Sequence, residues 1–351
     1  MKSLIVGLAF MLALIGADVA AADAKNVRVE RLLDAPLIGP ELDPSIGVNI
    51  QGPSLIRVPD WVKDPLGKYY LYFADHKGIY IRLAYADNLL GPWKIHAPGS
   101  LQLTDTHFPS VPPAIPPGAL EEKMAERAKS TGGNRILPHS LAKELTTVHI
   151  ASPDVHVDEK NRRIIMYFHG LDAFSTQLSR VALSDDGIHF KGLPEKIGRT
   201  YFRVFKHKGM TYGLAMPGQV YRSKDGLTNF ETGPMLFNPF MRHSALLKRG
   251  ELMYVFWTQA GTAPESIQLS TIDLFPPWTE WKESTPEVVL RPERDWEGAD
   301  QPVEISLRST AYGKVNQLRD PAIFEEDGRV YLLYAVAGES GIAIAEVHMS
   351  D

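Results

Sequence analysis

Asp320-Pro321-Ala322-Ile323-Phe324, then the polar turn Glu325-Glu326-Asp327-Gly328, then Val330-Tyr331-Leu332-Leu333-Tyr334 and Ile342-Ala343-Ile344-Ala345-Glu346-Val347 together form one repeating unit. It reads as three short apolar strands reversed by tight turns. The β-branched and aromatic residues suit a pleated, half-buried surface, and Gly328 tolerates the positive φ that a tight reversal needs. Four other stretches can be laid on this unit. The first runs Gly52-Pro53-Ser54-Leu55-Ile56, 68–73 and 81–86, and the second runs Ser152-Pro153-Asp154-Val155, 163–168 and 178–184. The third (201–205, 210–215, 219–223) and the fourth (243–247, 252–257, 266–272) are less regular.

Five such units with little helical periodicity between them predict an all-β chain folded as a five-bladed β-propeller, because radial closure leaves few exposed sheet edges. The fifth unit stops after three strands, while 26–33 alternates like a strand. The N-terminal segment is therefore expected to supply the missing strand and close the ring. One propeller domain is expected over 26–351, with insertions at about 104–147 and 286–317. Irregular segments of that length in a compact domain are expected to wall or cover a site. A short helix is expected at 120–129, where Glu and Lys intersperse.

In a blade whose first strand lines the central channel, the start of that strand and the turn between the second and third strands lie at one end. The strand starts read Gly52, Ser152, Tyr201, His243 and Asp320; two residues further on, at equal parity, stand Ser54, Asp154, Arg203, Ala245 and Ala322. The matching turns add Asp75, His76, His169, Glu265 and Glu339. One mouth is thus expected to gather Asp154, Asp320, His243 and Asp75 as catalytic groups. His76, Arg203, Arg242, Arg319, His169, Gln51 and Glu265 are expected to bind substrate. Carboxyls and imidazoles move protons near neutral pH, and such a polar cleft suits the hydroxyls of a saccharide. Each residue also has a structural reading: an Asp at a strand start can satisfy local backbone donors, and the arginines can neutralise the acids.

Composition narrows the chemistry further. The 351 residues contain no cysteine, so thiolate catalysis, iron–sulfur clusters and Cys-ligated zinc are excluded. With 37 basic and 42 acidic side chains and no basic run, nothing marks a nucleic-acid partner. No metalloprotease, P-loop, dinucleotide or EF-hand motif occurs, so no cofactor and no dedicated metal site are expected; a structural Ca²⁺ in the central channel has no motif behind it. Lys2, the apolar run 4–15 and the small residues around Ala20-Ala21-Ala22 match a secretory signal over 1–22. That apolar run is too short for a stable membrane span. A secreted or periplasmic protein is the expectation.

The stretches Lys68-Tyr69-Tyr70-Leu71-Tyr72-Phe73 and Arg82-Leu83-Ala84-Tyr85-Ala86-Asp87 through Gly91-Pro92-Trp93, with Ser152-Pro153-Asp154-Val155 and Arg319-Asp320-Pro321-Ala322-Ile323, resemble the five-bladed propeller glycosidases around glycoside hydrolase family 43, and family 117 is related. The resemblance implies an Asp general base in the first blade, a second-blade Asp that adjusts pKa and position, and a Glu general acid in a later blade. Asp154 matches the second role; the first falls on Gly52, flanked by Gln51, and the third on Met241-Arg242-His243-Ser244. The function implied is a secreted glycoside hydrolase acting on a polysaccharide or its oligosaccharides. The alternatives are a non-hydrolytic carbohydrate-binding propeller and a polysaccharide lyase, in which arginine neutralises a uronate while histidine or tyrosine takes a proton.

Overall fold

The computed structural model describes residues 27–129 and 136–349, so the signal-like segment 1–22 lies outside the described residues. Five four-stranded antiparallel sheets follow one another along the chain. Blade I comprises β2 (Gln51–Arg57), β3 (Tyr69–Ala74), β4 (Tyr80–Ala86) and β5 (Lys94–Gln102), and blade II comprises β6 (Ile150–Asp158), β7 (Arg163–Ala173), β8 (Thr176–Ser184) and β9 (Lys191–Gly192). Blade III is β10 (Arg203–His207), β11 (Met210–Ala215), β12 (Gln219–Ser223) and β13 (Glu231–Met235); blade IV is β14 (Met241–Arg249), β15 (Leu252–Gln259), β16 (Ile267–Asp273) and β17 (Glu287–Leu290). Blade V takes β18 (Arg319–Glu326), β19 (Arg329–Ala335) and β20 (Ile342–Met349) from the C-terminal end. Its fourth strand is β1 (Val27–Arg31), which pairs antiparallel with β20 in the register Val29 to Val347. The expected closure of the ring by the N-terminal segment is the one observed.

The burial pattern explains why the sheets stack radially. All six residues of β3, Tyr69-Tyr70-Leu71-Tyr72-Phe73-Ala74, are buried, because both faces of an inner strand are covered by neighbouring blades. The apolar core is accordingly divided into five layers, one per blade junction. Tyr70 and Tyr72 meet Met166 and Phe168 between blades I and II, while Leu71 and Phe73 meet Phe324 and Leu333 between blades V and I. Each fully buried Leu or Phe in such a layer contributes roughly 1.5–3 kcal/mol. The blades are therefore held by their faces, which leaves the axis free for polar residues.

The closing strand is also tied to the second insertion. Arg31 donates from Nε and Nη2 to the two carboxylate oxygens of Glu297 at 2.8 and 2.9 Å, and Tyr334 Oη–H donates to Oε1 at 3.0 Å. Glu297 is fully buried and thus serves the ring closure rather than the channel mouth. The first insertion carries α1 (Ala119–Lys129), close to the expected helix, and α2 (Leu141–Thr146), which the sequence pattern did not announce. Ser140 caps α2, its Oγ accepting the Lys143 N–H. Among the described residues no helix is long and apolar enough to cross a membrane.

Candidate active site

The innermost strands enter the channel through a shared irregularity. The ladders β2/β3, β6/β7, β14/β15 and β18/β19 slip between Gln51 and Ser54, Ala151 and Asp154, Met241 and Ser244, and Arg319 and Ala322. Four of the five strand-start residues adopt positive φ: Gly52 at 65°, Ser152 at 51°, Tyr201 at 56° and Asp320 at 46°. For residues other than glycine this conformation costs about 1–3 kcal/mol and persists only where the surroundings enforce it. It aims the strand starts at one another. A Cβ on Gly52 would stand 2.9 Å from Ser152 Cα, the Tyr201 and His243 rings lie 4.4 Å apart, and His243 Nε2 is 3.2 Å from Asp320 Oδ1.

One chain of polar contacts and one succession of packed rings descend from the mouth. In one, His76 Nδ1 meets Glu339 Oε1 at 3.2 Å; the same carboxylate accepts Arg319 Nη1–H at 2.7 Å and Asn49 Nδ2–H at 2.8 Å. Arg319 also lies 3.7 Å from Glu265, which Arg242 reaches at 3.2 Å. In the other, the rings of His149, His169, Tyr201 and His243 succeed one another towards Asp320. The Asp320 backbone N–H donates to His243 Nδ1 at 3.2 Å, so the imidazole proton resides on Nε2, facing the Asp320 carboxyl. Asp320, His243, His169, Arg242, Arg319, Glu265 and Glu339 are all at most 2% exposed.

The electrostatics separate the two carboxyls at the foot of these chains. Burial, and then the charge of Glu339, push Asp320 up to about 7 against the pull of Arg242 and Arg319. Burial also opposes the ionisation of Glu339, but His76, Arg319 and Asn49 outweigh it and hold this carboxyl well below the ordinary range. Desolvation and the neighbouring Arg242 and Arg319 keep His243 well below the usual imidazole value, and burial with Asp320 nearby raises the Tyr201 phenol. Asp320 is thus the protonatable carboxyl and Glu339 the ionised one.

A pocket of about 360 Å³ opens above them, with His76, Lys77, Glu144, Tyr201, Arg242 and Arg308 in its lining. Both insertions reach its rim. Glu144 of α2 accepts a hydrogen bond from Tyr312 Oη–H at 2.8 Å, meets His139 Nε2 at 2.6 Å and lies 3.3 Å from Lys77 Nζ. Although burial pulls the other way, Lys77, Tyr312 and His139 bring the Glu144 carboxyl down to about 2.

The expected gathering is therefore met in part. His76, Glu265, Arg242, Arg319, His243, Asp320 and His169 share the two chains, while Gln51, buried at the start of β2, contacts neither and accepts Ser152 Oγ–H at 3.3 Å through its Oε1. Asp154 and Arg203 were expected at the same mouth, but both line a separate cavity of about 610 Å³ at the far ends of the innermost strands. There Asp154 accepts from Val204 N–H at 2.9 Å, meets His156 Nε2 at 2.8 Å and lies 3.3 Å from Arg203 Nη1. The parity argument fails because the slip at Ser152-Pro153 breaks the two-residue alternation, and two further residues carry Asp154 about 6–7 Å down the strand. Asp75 serves its turn: its Oδ1 accepts the Lys77 N–H at 2.8 Å, and Oδ2 stands 3.5 Å from Arg82. Gly52, where the resemblance implies a general base, offers no side chain. Tyr201 and Glu339 stand at readable blade positions but are not among the expected site residues; Lys77, Glu144 and Arg308 reach the pocket through turns and insertions that carry no pattern, and Tyr312 reaches Glu144 in the same way.

Among the described residues no group of three or more His, Asp or Glu is arranged to hold a metal ion. The axis presents His169, Tyr201 and His243 rather than the six to eight oxygens that calcium takes, so the residues present do not fit a channel Ca²⁺.

No protein-family model matches the sequence. The uncharacterized protein R118 of Acanthamoeba polyphaga mimivirus is 35% identical over 327 residues, covering 86% of this chain and 84% of the viral protein. The chain belongs to the same family as R118. Among solved structures, the fold of this chain matches a glycoside hydrolase family 43 β-xylosidase/α-arabinofuranosidase from a compost microbial metagenome, solved with xylotriose. The TM-score is 0.53 at 13% identity, covering 91% of this chain and 94% of that one. The family 43 enzyme of Xanthomonas citri matches with a TM-score of 0.53 at 12% identity over 92% and 90% of the two chains. An exo-β-1,3-galactanase from Phanerochaete chrysosporium gives 0.52 at 11% identity, with 93% of this chain and 64% of that chain covered. The fold is that of the family 43 glycosidases.

Proposed function

We propose that the protein is a glycoside hydrolase that binds an oligosaccharide, or the end of a polysaccharide, in the pocket at the channel mouth and cleaves a glycosidic bond by acid/base catalysis. The observation that carries this reading is the pair Asp320 and Glu339, two buried carboxyls pushed to opposite protonation states beneath one pocket. Environments that drive two titratable groups apart are how a site keeps an acid and a base at one pH. Each has a pocket-lining neighbour: His76 rests on Glu339, and Tyr201 lies over the His243–Asp320 pair. In this reading Glu339 orients His76 to position water, while Asp320 supplies the proton for the departing oxygen. Lys2 and the apolar run behind it support action outside the cytoplasm.

One observation favours a second reading, β-elimination. The pocket lining presents His76, Tyr201 and arginines, whereas Asp320 and Glu339 lie below it. Histidine as base, tyrosine as acid and arginine against a uronate would serve a lyase. Incubating the protein with a broad oligosaccharide panel and analysing the products separates the two readings. Hydrolysis releases reducing ends without a new double bond, elimination creates an ultraviolet-absorbing unsaturated sugar, and binding without either product indicates a lectin-like propeller. For hydrolysis, Asp320→Asn is expected to lower kcat by about 10²–10⁴-fold with saccharide binding retained. Full activity in that variant removes Asp320 from the mechanism.

A further inference from the structure

We infer that the sugar seated in the mouth pocket carries an anionic substituent, a carboxylate or a sulfate ester, which is held by Arg308 together with Arg242. The inference rests on the reading that a saccharide occupies this pocket, and it names the class of that saccharide.

The first observation is charge. Among the cations of the lining, Lys77 is set against Glu144, which His139 also meets, and Arg242 against the buried Glu265, while Arg308 faces the pocket beside them without a carboxylate of its own among the described residues. The whole chain carries a net charge of −5, so this excess is local. The cavity at the other end of the channel has the opposite balance: Asp60, Asp154, Glu159 and Glu325 face Arg57 and Arg203. A concave site lined by one sign of charge concentrates ligands of the other sign.

The second observation is how the two arginines are fixed. Arg308 Nη2–H donates to the Met241 carbonyl at 3.1 Å, while Arg242 Nη1–H donates to the Leu307 carbonyl at 2.9 Å. Each guanidinium thus holds the backbone beside the other, and two like charges are clasped together in the pocket wall. Glu265 compensates Arg242 from below, but Arg308 has no carboxylate within ion-pair distance among the described residues, and its hydrogen bonds go to neutral carbonyls. Arg242 Nε–H, buried in a side chain 2% exposed, finds no acceptor among the described residues either. Arg308, held in a partly enclosed wall beside another guanidinium and without a carboxylate of its own, is unfavourably placed alone and favourably placed once an anion lies against it. The planar guanidinium fork matches carboxylate and sulfate oxygens. A neutral sugar would leave Arg308 uncompensated.

The test compares acid with ester on the full-length protein. Di- and trisaccharides of galacturonate and glucuronate are titrated against their methyl esters, and galactose 6-sulfate against galactose, by calorimetry or saturation-transfer NMR at low salt. The expected result is at least tenfold tighter binding of an anionic form, a preference that shrinks as salt is added and collapses in Arg308→Gln. Preference confined to the uronates identifies a carboxylate, and preference confined to the sulfated sugar identifies a sulfate ester. The acid–ester comparison needs no variant, so a folding defect in Arg308→Gln cannot mask the outcome. Equal binding of charged and neutral forms, or a preference that survives in Arg308→Gln, overturns the inference while the saccharide reading stands. If neither these sugars nor neutral xylo-, arabino- and galacto-oligosaccharides bind, the saccharide reading falls and takes this inference with it.

Discussion

Replacing Asp320 by Asn is expected to stabilise the protein above neutral pH while removing its activity. The carboxyl is fully buried beside Glu339, and its pKa is raised from 3.8 to about 7. An acid whose folded-state pKa exceeds its unfolded value adds most to stability below pH 4, where both states are protonated. Between about pH 4 and pH 7 the unfolded chain releases the proton and the folded chain retains it, so stability falls by up to about 1.4 kcal/mol per pH unit. The accumulated loss is roughly 4 kcal/mol by pH 8. Asparagine has nearly the same shape and no charge to desolvate, so Asp320→Asn should flatten this part of the stability curve. For a chain of this size that corresponds to a Tm gain of about 6 °C at pH 8 and little gain at pH 4. Thermal unfolding of both proteins across pH 4–8 measures it. A variant destabilised by the same margin at every pH would refute the reasoning, because it would mean that Asp320 is comfortably ionised in the fold. A residue whose ordinary chemistry opposes folding, yet which is held at the axis in a strained backbone conformation, fits a catalytic role better than a structural one.

Two further outcomes test the parts around the site. Tyr312→Phe removes the 2.8 Å hydrogen bond that joins the second insertion to Glu144 of α2; at roughly 1 kcal/mol it should speed amide exchange across 141–146 about fivefold and leave the blade strands unchanged. Arg31→Ala leaves the buried Glu297 carboxylate without its cation and should destabilise the ring by about 3–5 kcal/mol, read as a lower Tm with unchanged turnover per folded molecule; an unaltered Tm would show that the closing strand does not depend on this pair.

Much of the fold was legible because its information is local and repeated. The continuous apolar run 330–334, the alternation in 342–347, the Asp327-Gly328 turn and the three-strand fifth unit announced five blades and their closure, since every blade must bury two faces against its neighbours and writes that need into its own sequence. The site was legible only at the strand starts. His243 and Asp320 were found because equivalent positions of a ring converge on its axis. Asp154 was misplaced because a slip at Ser152 cannot be seen in a two-residue alternation, and the slip sends this carboxyl towards the far cavity. Lys77, Glu144, Arg308 and Tyr312 come from turns and insertions whose paths are set by what they land on.

The amino-acid sequence by itself therefore determined the number of blades, the strand that seals the ring and the set of polar residues available at its axis. Hydrophobic periodicity and turn chemistry act over a few residues, which is why they can be read directly. Only the tertiary structure decided which carboxyl keeps its proton, which faces of the channel Asp154 and Asp320 occupy, and how two arginines come to share one wall. Those outcomes depend on burial and on charges brought together from blades far apart in the chain, and neither exists until the ring has closed.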